Sequence, residues 1–266
     1  VILLLGGTSE TAALAVALAH AGQDVLVSTA TDIRLDTGNH PRIRRRIGML
    51  DTEGMIKTAG ESRVRLIVDA LHPYAESARS TARQVAARLG IPYLSWLRPS
   101  SLTPEDGVIF GQDHETAAGL ACSFGHTVFL TTGSRRLVPY VHAAERAKVD
   151  LVVRVLPYSE SLKACLDIGI PPNRIVTGRG PFSVEDNLGV LQRFQIGVLV
   201  TKDSGHAGGL PAKLEAARVH GCPVVVVQRP SVPMEGAYSD PEELLKAAVT
   251  LLQPETASTS RGNEGP

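Results

Sequence analysis

Short apolar runs alternate along this chain with Ala-rich stretches whose polar residues recur at helical spacing. The runs cover residues 1–5, 24–28, 65–70, 92–97, 127–131, 151–156, 174–177, 196–201 and 223–228. Each ends in small or polar residues, the pattern of strands buried on both faces of a parallel sheet. The stretches between them, such as 11–20, 77–89, 115–123 and 212–220, have the length and composition of amphipathic helices. Strand and helix in alternation predict right-handed βαβ units, not a sandwich or a bundle. The rhythm weakens at 99–112, where Pro99-Ser100-Ser101 and Pro104-Glu105-Asp106-Gly107 dilute the aliphatic content. The expected fold is therefore α/β, with two Rossmann-like, doubly wound parallel-sheet domains facing one another across a cleft. Their expected limits are 1–105 for a dinucleotide-binding domain and 106–252 for a second domain. The polar, Gly- and Ser-containing tail 253–266 is expected to be disordered.

Composition narrows the partners. Among 266 residues, Lys plus Arg and Asp plus Glu are equal at 27 each, so no global field draws in nucleic acid or an anionic membrane. An anionic ligand must be caught locally. Cys122, Cys165 and Cys222 are scattered, without a Cys-x-x-Cys pair or a His partner at metal-ligand spacing, which predicts reduced structural thiols and no metal site. The opening Val1-Ile2-Leu3-Leu4-Leu5 is too short for a signal segment, and no apolar run reaches the ~20 residues of a spanning helix. A cytoplasmic protein is expected, as a monomer or weak dimer.

Chemistry concentrates where strands end. After the first run, Gly6-Gly7-Thr8-Ser9-Glu10 leads into a helix that stops at Gly22. Glycines there let the backbone turn sharply toward a phosphate, and the helix start offers N–H groups and a positive dipole end. The loop lacks the full G-x-G-x-x-G fingerprint, since Ala12 and Ala13 stand where the helix-packing glycine is expected, and an ordinary tight turn is the competing reading. The second strand ends Val27-Ser28-Thr29-Ala30 without the acid that binds a ribose 2′-hydroxyl in NAD sites. Ser28 and Thr29 leave room for a 2′-phosphate, with Arg34 or the run Arg42, Arg44, Arg45, Arg46 as countercharge, so NADPH is favoured over NADH. A solvated basic face is the alternative for any one of these arginines.

The third run leads into Asp69-Ala70-Leu71-His72-Pro73-Tyr74-Ala75, placing an imidazole and a phenol at the sheet edge where open α/β folds bind ligands. In the second half, Thr131-Thr132-Gly133-Ser134-Arg135-Arg136 predicts another anion site. Arg179-Gly180-Pro181-Phe182 follows a strand, and Thr201-Lys202-Asp203-Ser204-Gly205 precedes Gly208-Gly209-Leu210-Pro211-Ala212-Lys213. A Lys beside an Asp at a strand end suits an ion pair, a carboxylate anchor or a proton relay.

Taken together, Gly6-Gly7-Thr8-Ser9-Glu10, His72-Pro73-Tyr74-Ala75, Thr132-Gly133-Ser134-Arg135, Gly178-Arg179-Gly180-Pro181-Phe182 and Thr201-Lys202-Asp203-Ser204-Gly205 resemble the precorrin-6A reductase family of cobalamin biosynthesis. The resemblance runs from Val1 to about Pro230 and departs at His206, where a small residue is expected. It implies NADPH-dependent reduction of one double bond in a corrin-precursor macrocycle, giving precorrin-6B, on a two-lobed fold. Cofactor contacts are expected from Gly6, Gly7, Thr8, Ser9, Ser28, Thr29, His72, Pro73, Gly133 and Ser134. The carboxylate-fringed substrate is expected to meet Arg135, Arg136, Arg154, Arg179, Lys202, Asp203 and Ser204. Lys202, His72 or Tyr74, or water, supplies the proton.

Rival classes are testable against the sequence. No Tyr is followed four residues later by Lys, as a short-chain dehydrogenase requires, and no Gly-x-Ser-x-Gly elbow occurs. A non-catalytic dinucleotide-binding regulator would keep the Gly-Gly loop, but the cationic strand ends of the second half would serve it no purpose. A cobalt-precorrin-6A substrate has the same carboxylate fringe as the metal-free one, and both stay open.

Overall fold

The computed structural model describes residues 1–8, 10–30, 40–98, 100, 102–205, 208–230 and 235–253. Ser9, Arg34 and His206, and all of the expected disordered tail except Gln253, lie outside them. The chain divides into two compact units, Val1–Leu97 with Val232–Pro266, and Arg98–Ser231.

In the first unit, β1 (Ile2–Leu5), β2 (Val25–Thr29), β3 (Ile43–Ile47), β4 (Leu66–Asp69), β5 (Tyr93–Trp96) and β12 (Ala237–Tyr238) form one sheet. Its order is β12-β5-β4-β1-β2-β3 and every pair is parallel. Counted by position, this is the 3-2-1-4-5-6 order of doubly wound dinucleotide folds. Alternation along β1 decides the two cores. Ile2 and Leu4 pack with Leu14 and Leu18 of α1 (Thr11–His20) and Leu244, Ala248 and Leu252 of α9 (Pro241–Leu252). Leu3 and Leu5 face Met55 and Ala59 of α2 (Thr52–Glu61) and Ala82, Val85 and Ala86 of α3 (Glu76–Leu89). The apolar positions of α9 recur every four residues, and Asp240 starts it by accepting from the amides of Glu242 and Glu243 at 2.7 and 3.2 Å.

The second unit holds β6 (Ile109–Gly111), β7 (Val128–Leu130), β8 (Leu151–Val155), β9 (Ile175–Thr177), β10 (Val198–Lys202) and β11 (Val224–Val227), ordered β6-β11-β10-β7-β8-β9 and again all parallel. Its helices are α4 (His114–Cys122), α5 (Val138–Ala147), α6 (Ser159–Leu166), α7 (Val184–Arg193) and α8 (Leu210–His220). By position the order is once more 3-2-1-4-5-6. The sixth places are filled crosswise: β6, which follows the fifth strand of the first sheet, completes the second, and β12, which follows the fifth strand of the second, completes the first.

All nine expected strands are present, and β3, β6 and β12 are additional. The run Arg44-Arg45-Arg46 lies within β3, an edge strand where charged side chains are tolerated and discourage stray pairing. The expected limits 1–105 and 106–252 differ from the observed division at Leu97 and Ser231, because α9 supplies core to the first sheet. The three cysteines are buried and free.

Candidate functional site

In both sheets the strand order reverses at one place, between β1 and β4 in the first and between β7 and β10 in the second. Ligands of open α/β sheets bind outside the carboxyl ends at such a switch point. The helices that start there, α1, α3, α5 and α8, all lack a side-chain N-cap hydrogen bond. Of the helices that start elsewhere, α2, α4, α7 and α9 are capped by Asp51, Asp113, Ser183 and Asp240, and α6 is uncapped like the four at the switch points. Uncapped starts leave N–H groups and dipole ends for a ligand to satisfy.

At the first switch point Gly7 has φ +126°, a conformation that side chains rarely adopt. The amides of Gly7 and Thr8 both donate to Thr11 Oγ1 at 3.1 Å, so two N–H groups converge on one oxygen. A Cβ added at Gly6 would lie 2.3 Å from Thr11 Cγ2, which makes this a cradle only glycine forms. Thr8 Oγ1 donates to Ala70 O at 3.2 Å and ties the cradle to the end of β4. These are the features a phosphate-binding turn requires, and they fit the pyrophosphate of a dinucleotide.

Beside the cradle, Asp69 is fully buried and accepts from Arg79 Nε at 2.7 Å, Tyr93 OH at 2.5 Å and the Leu71 amide at 2.9 Å. Burial, then the Asp69 charge, pushes the Tyr93 phenol well above its usual range. Arg79 Nη1 also donates to Pro73 O at 3.0 Å, which fixes the loop carrying His72 and Tyr74. Those two rings sit 5.6 Å apart, half-buried. At the end of β2, Arg46 Nη1 donates to Ser28 Oγ at 2.8 Å and Arg45 Nη2 to Thr29 Oγ1 at 3.2 Å. Two guanidinium groups therefore stand where an NAD site carries its acid.

The second switch point is rich in cations. Lys202 ends β10, and burial, then Arg135, lowers it to about 8. His114, at the start of α4, has Nδ1 3.0 Å from the hydroxyl of fully buried Tyr140. Burial, then Lys202 and Arg136, brings this imidazole down to about 4, so it is neutral at physiological pH. Gly133 has φ +86°, and the buried Thr132 hydroxyl beside it has no hydrogen-bond partner among the described residues. Asp203 is held by Arg229 at 2.8 Å, while Ser204 Oγ donates to Gly208 O at 3.3 Å and Ser204 O accepts from Arg98 at 3.1 Å. These bonds hold Asp203, Ser204 and Gly208 after β10.

The expected site residues thus fall into two groups. Gly6, Gly7, Thr8, Ser28, Thr29, His72, Pro73 and Tyr74 belong to the first unit, and Gly133, Ser134, Arg135, Arg136, Arg154, Lys202, Asp203 and Ser204 to the second. Arg179 follows the edge strand β9, two strands from the switch, with its guanidinium 5.3 Å from the Tyr158 ring. Sequence reasoning missed Thr11, Asp69, Arg79, His114 and Lys213. Thr11 and Lys213 read as ordinary helix positions, but an Asp closing an apolar strand, as Asp69 does, was a usable signal.

Among the described residues no helix is long and apolar enough to cross a membrane. A family model described as precorrin-6x reductase CbiJ/CobK matches residues 1–249. A Priestia megaterium protein named cobalt-precorrin-6A reductase is 34% identical over 249 residues, covering 93% of this chain and 98% of that protein. A Rhodococcus erythropolis protein named precorrin-6A reductase is 35% identical over 238 residues, covering 87% and 90%. The solved structure of CobK precorrin-6A reductase superposes with a TM-score of 0.72 at 27% identity, covering 94% of this chain and 96% of that one.

Proposed function

This chain belongs to the precorrin-6x reductase CbiJ/CobK family, and from that premise we propose that it reduces one double bond of precorrin-6A with NADPH, giving precorrin-6B in cobalamin biosynthesis. The single observation that carries the choice of cofactor is the end of β2. Ser28 and Thr29 replace the acid that favours NAD, and Arg46 and Arg45 already bond to their hydroxyls. A 2′-phosphate would take over these guanidinium donors in bidentate fashion.

The cofactor supplies hydride when bound. The rest of the chemistry falls to the chain. The Gly6-Gly7-Thr8 cradle holds the pyrophosphate, and the Asp69–Arg79 pair fixes the His72-Pro73-Tyr74 loop beside it. Arg135, Arg136 and Lys202 draw in the substrate's carboxylates. Lys202 is also the preferred proton donor: lowered to about 8, it is protonated at neutral pH yet gives up its proton far more readily than an ordinary lysine. We place the protein in the cytoplasm, as a monomer or weak dimer.

The deciding experiment incubates the protein with NADPH or NADH and either precorrin-6A or its cobalt form, following oxidation of the nicotinamide by absorbance. Oxidation of NADPH with precorrin-6A supports the reading, and oxidation with neither macrocycle sinks it. NADPH should raise the melting temperature more than NADH at equal concentration, and Arg46→Ala should erase that difference. Equal shifts in the unmodified protein would refute the 2′-phosphate assignment. Lys202→Met should lower kcat/KM for the macrocycle by about tenfold or more without unfolding the protein, and a near-normal rate would remove Lys202 from the site.

A further inference from the structure

Two buried cations of the second unit have no ion-pair partner among the described residues. Arg154, near the end of β8, is 6% exposed, and Lys213, in the first turns of α8, is 8% exposed. Arg154 lies in β8 on the same side as Val152, which packs with Phe129, Leu199, Leu191 of α7 and Ala216 and Ala217 of α8. Its guanidinium is held between the rings of Phe129 and Phe182, 4.9 and 4.1 Å from their centroids. One hydrogen bond, Nη1 to Asn187 Oδ1 at 2.7 Å, orients it, and among the described residues its buried Nε has no partner. Lys213 makes a single hydrogen bond among the described residues, Nζ to Gly208 O at 3.2 Å.

A loop-fixing role does not account for Lys213. The Gly208 carbonyl already accepts from Ser204 Oγ at 3.3 Å, and one bond to a neutral oxygen does not offset the desolvation of an ammonium group. Burial, then Arg154 and Lys202, brings Lys213 down to about 8, so these cations repel one another. The loops that approach them are built for close contact: Gly209, at φ +69°, comes within 3.4 Å of Pro181 at its would-be Cβ, and α8 starts without a side-chain cap. Buried positive charge with unused donors, beside an uncapped helix start, is completed by an oxyanion.

We propose that Arg154 and Lys213 form an oxyanion subsite at the carboxyl rim of this sheet, additional to Lys202, Arg135 and Arg136, which takes one carboxylate of the macrocycle. The oxyanion subsite stands on the burial, ring contacts and hydrogen bonds of these two cations, whatever the substrate. Its assignment to a macrocycle carboxylate, in place of a cofactor phosphate, rests on the precorrin-6A reading.

The test compares the unmodified full chain with Lys213→Met, Arg154→Met and Lys213→Arg. Three quantities are measured: thermal protection by tricarballylate and by inorganic pyrophosphate, the Kd of NADPH by cofactor fluorescence, and the KM of precorrin-6A. Lys213→Met should weaken tricarballylate protection and raise the macrocycle KM by about tenfold, leave the NADPH Kd within about twofold, and recover most of the loss as Lys213→Arg. Its unliganded melting temperature should stay level or rise, because a repelling charge is gone. If pyrophosphate protection and NADPH affinity fall instead, the subsite stands and its oxyanion is a cofactor phosphate. Unchanged binding of every probe, or a lower unliganded melting temperature in Lys213→Met with Arg154→Met binding normally, overturns the subsite. Should the unmodified protein reduce neither macrocycle, the functional reading fails, while the tricarballylate and pyrophosphate results still decide the subsite.

Discussion

The two switch points share a strand order and uncapped helix starts, yet they handle charge in opposite ways. At the first, the buried carboxylate of Asp69 is matched by Arg79, and Arg45 and Arg46 rest on hydroxyls. The ligand cradle itself is made of backbone N–H groups. At the second, burial lowers the pKa of Lys202, Lys213 and Arg154, and neighbouring cations lower the two lysines further, while Asp186 acts the other way on Arg154. The first edge is preorganised without a ligand, as suits a cofactor that stays the same from turnover to turnover. The second stores electrostatic cost that only an anion relieves, as suits recognition of a polycarboxylate.

That contrast can be broken most decisively at Asp69. Asp69→Ala leaves Arg79 buried and unpaired, and should cost about 3–5 kcal/mol in denaturant unfolding; a loss near zero would mean the first edge is not held by its ion pair. A smaller effect is expected at the cradle. Gly6→Ala forces its Cβ against Thr11 and should cost about 1–3 kcal/mol of stability while weakening NADPH in a fluorescence titration. Unchanged cofactor binding would detach the cradle from the pyrophosphate.

At the second edge the comparison sharpens with pH. Lys202 and Lys213 titrate near 8 when folded, against 10.5 for an ordinary lysine. Between about 8 and 10.5 the unfolded chain therefore holds more protons than the folded one, and their contribution to stability rises with pH. Anion affinity falls over the same window as the charges disappear. Calorimetry and tricarballylate titration should show these opposed slopes, and Lys202→Met with Lys213→Met should flatten both; parallel slopes would refute the stored repulsion. The smallest effect belongs to a helix start away from either switch. Ser183→Ala, at the capped start of α7, should cost about 1 kcal/mol and leave NADPH affinity unchanged.

Most of the architecture was legible because buried parallel strands are continuous apolar runs. The missing strands fail that test for identifiable reasons. β3 carries three arginines on an exposed sheet edge, β6 follows a Pro- and Gly-diluted segment, and β12 spans only Ala237 and Tyr238. Strand-end loops were legible too, since glycines and hydroxyls at run ends follow from the turn they make. Thr11 and Lys213 were hidden, because a polar residue pointing inward from a helix has the same spacing as one that points to water. The place of Arg179 was legible only in part: the sequence puts it after a strand, but the sheet order that makes that strand the edge is not written in the apolar pattern.

The crosswise sixth strands set a constraint on synthesis. When the ribosome has released residues 1–97, the first sheet still lacks β12, and its α1 face lacks Leu244, Ala248 and Leu252. That apolar face waits for the last segment of the chain, so the N-terminal half cannot reach its final packing during translation. A stop codon or protease nick just before α9 is then a lesion of the first unit, far away in sequence from the strand β1 whose packing it removes.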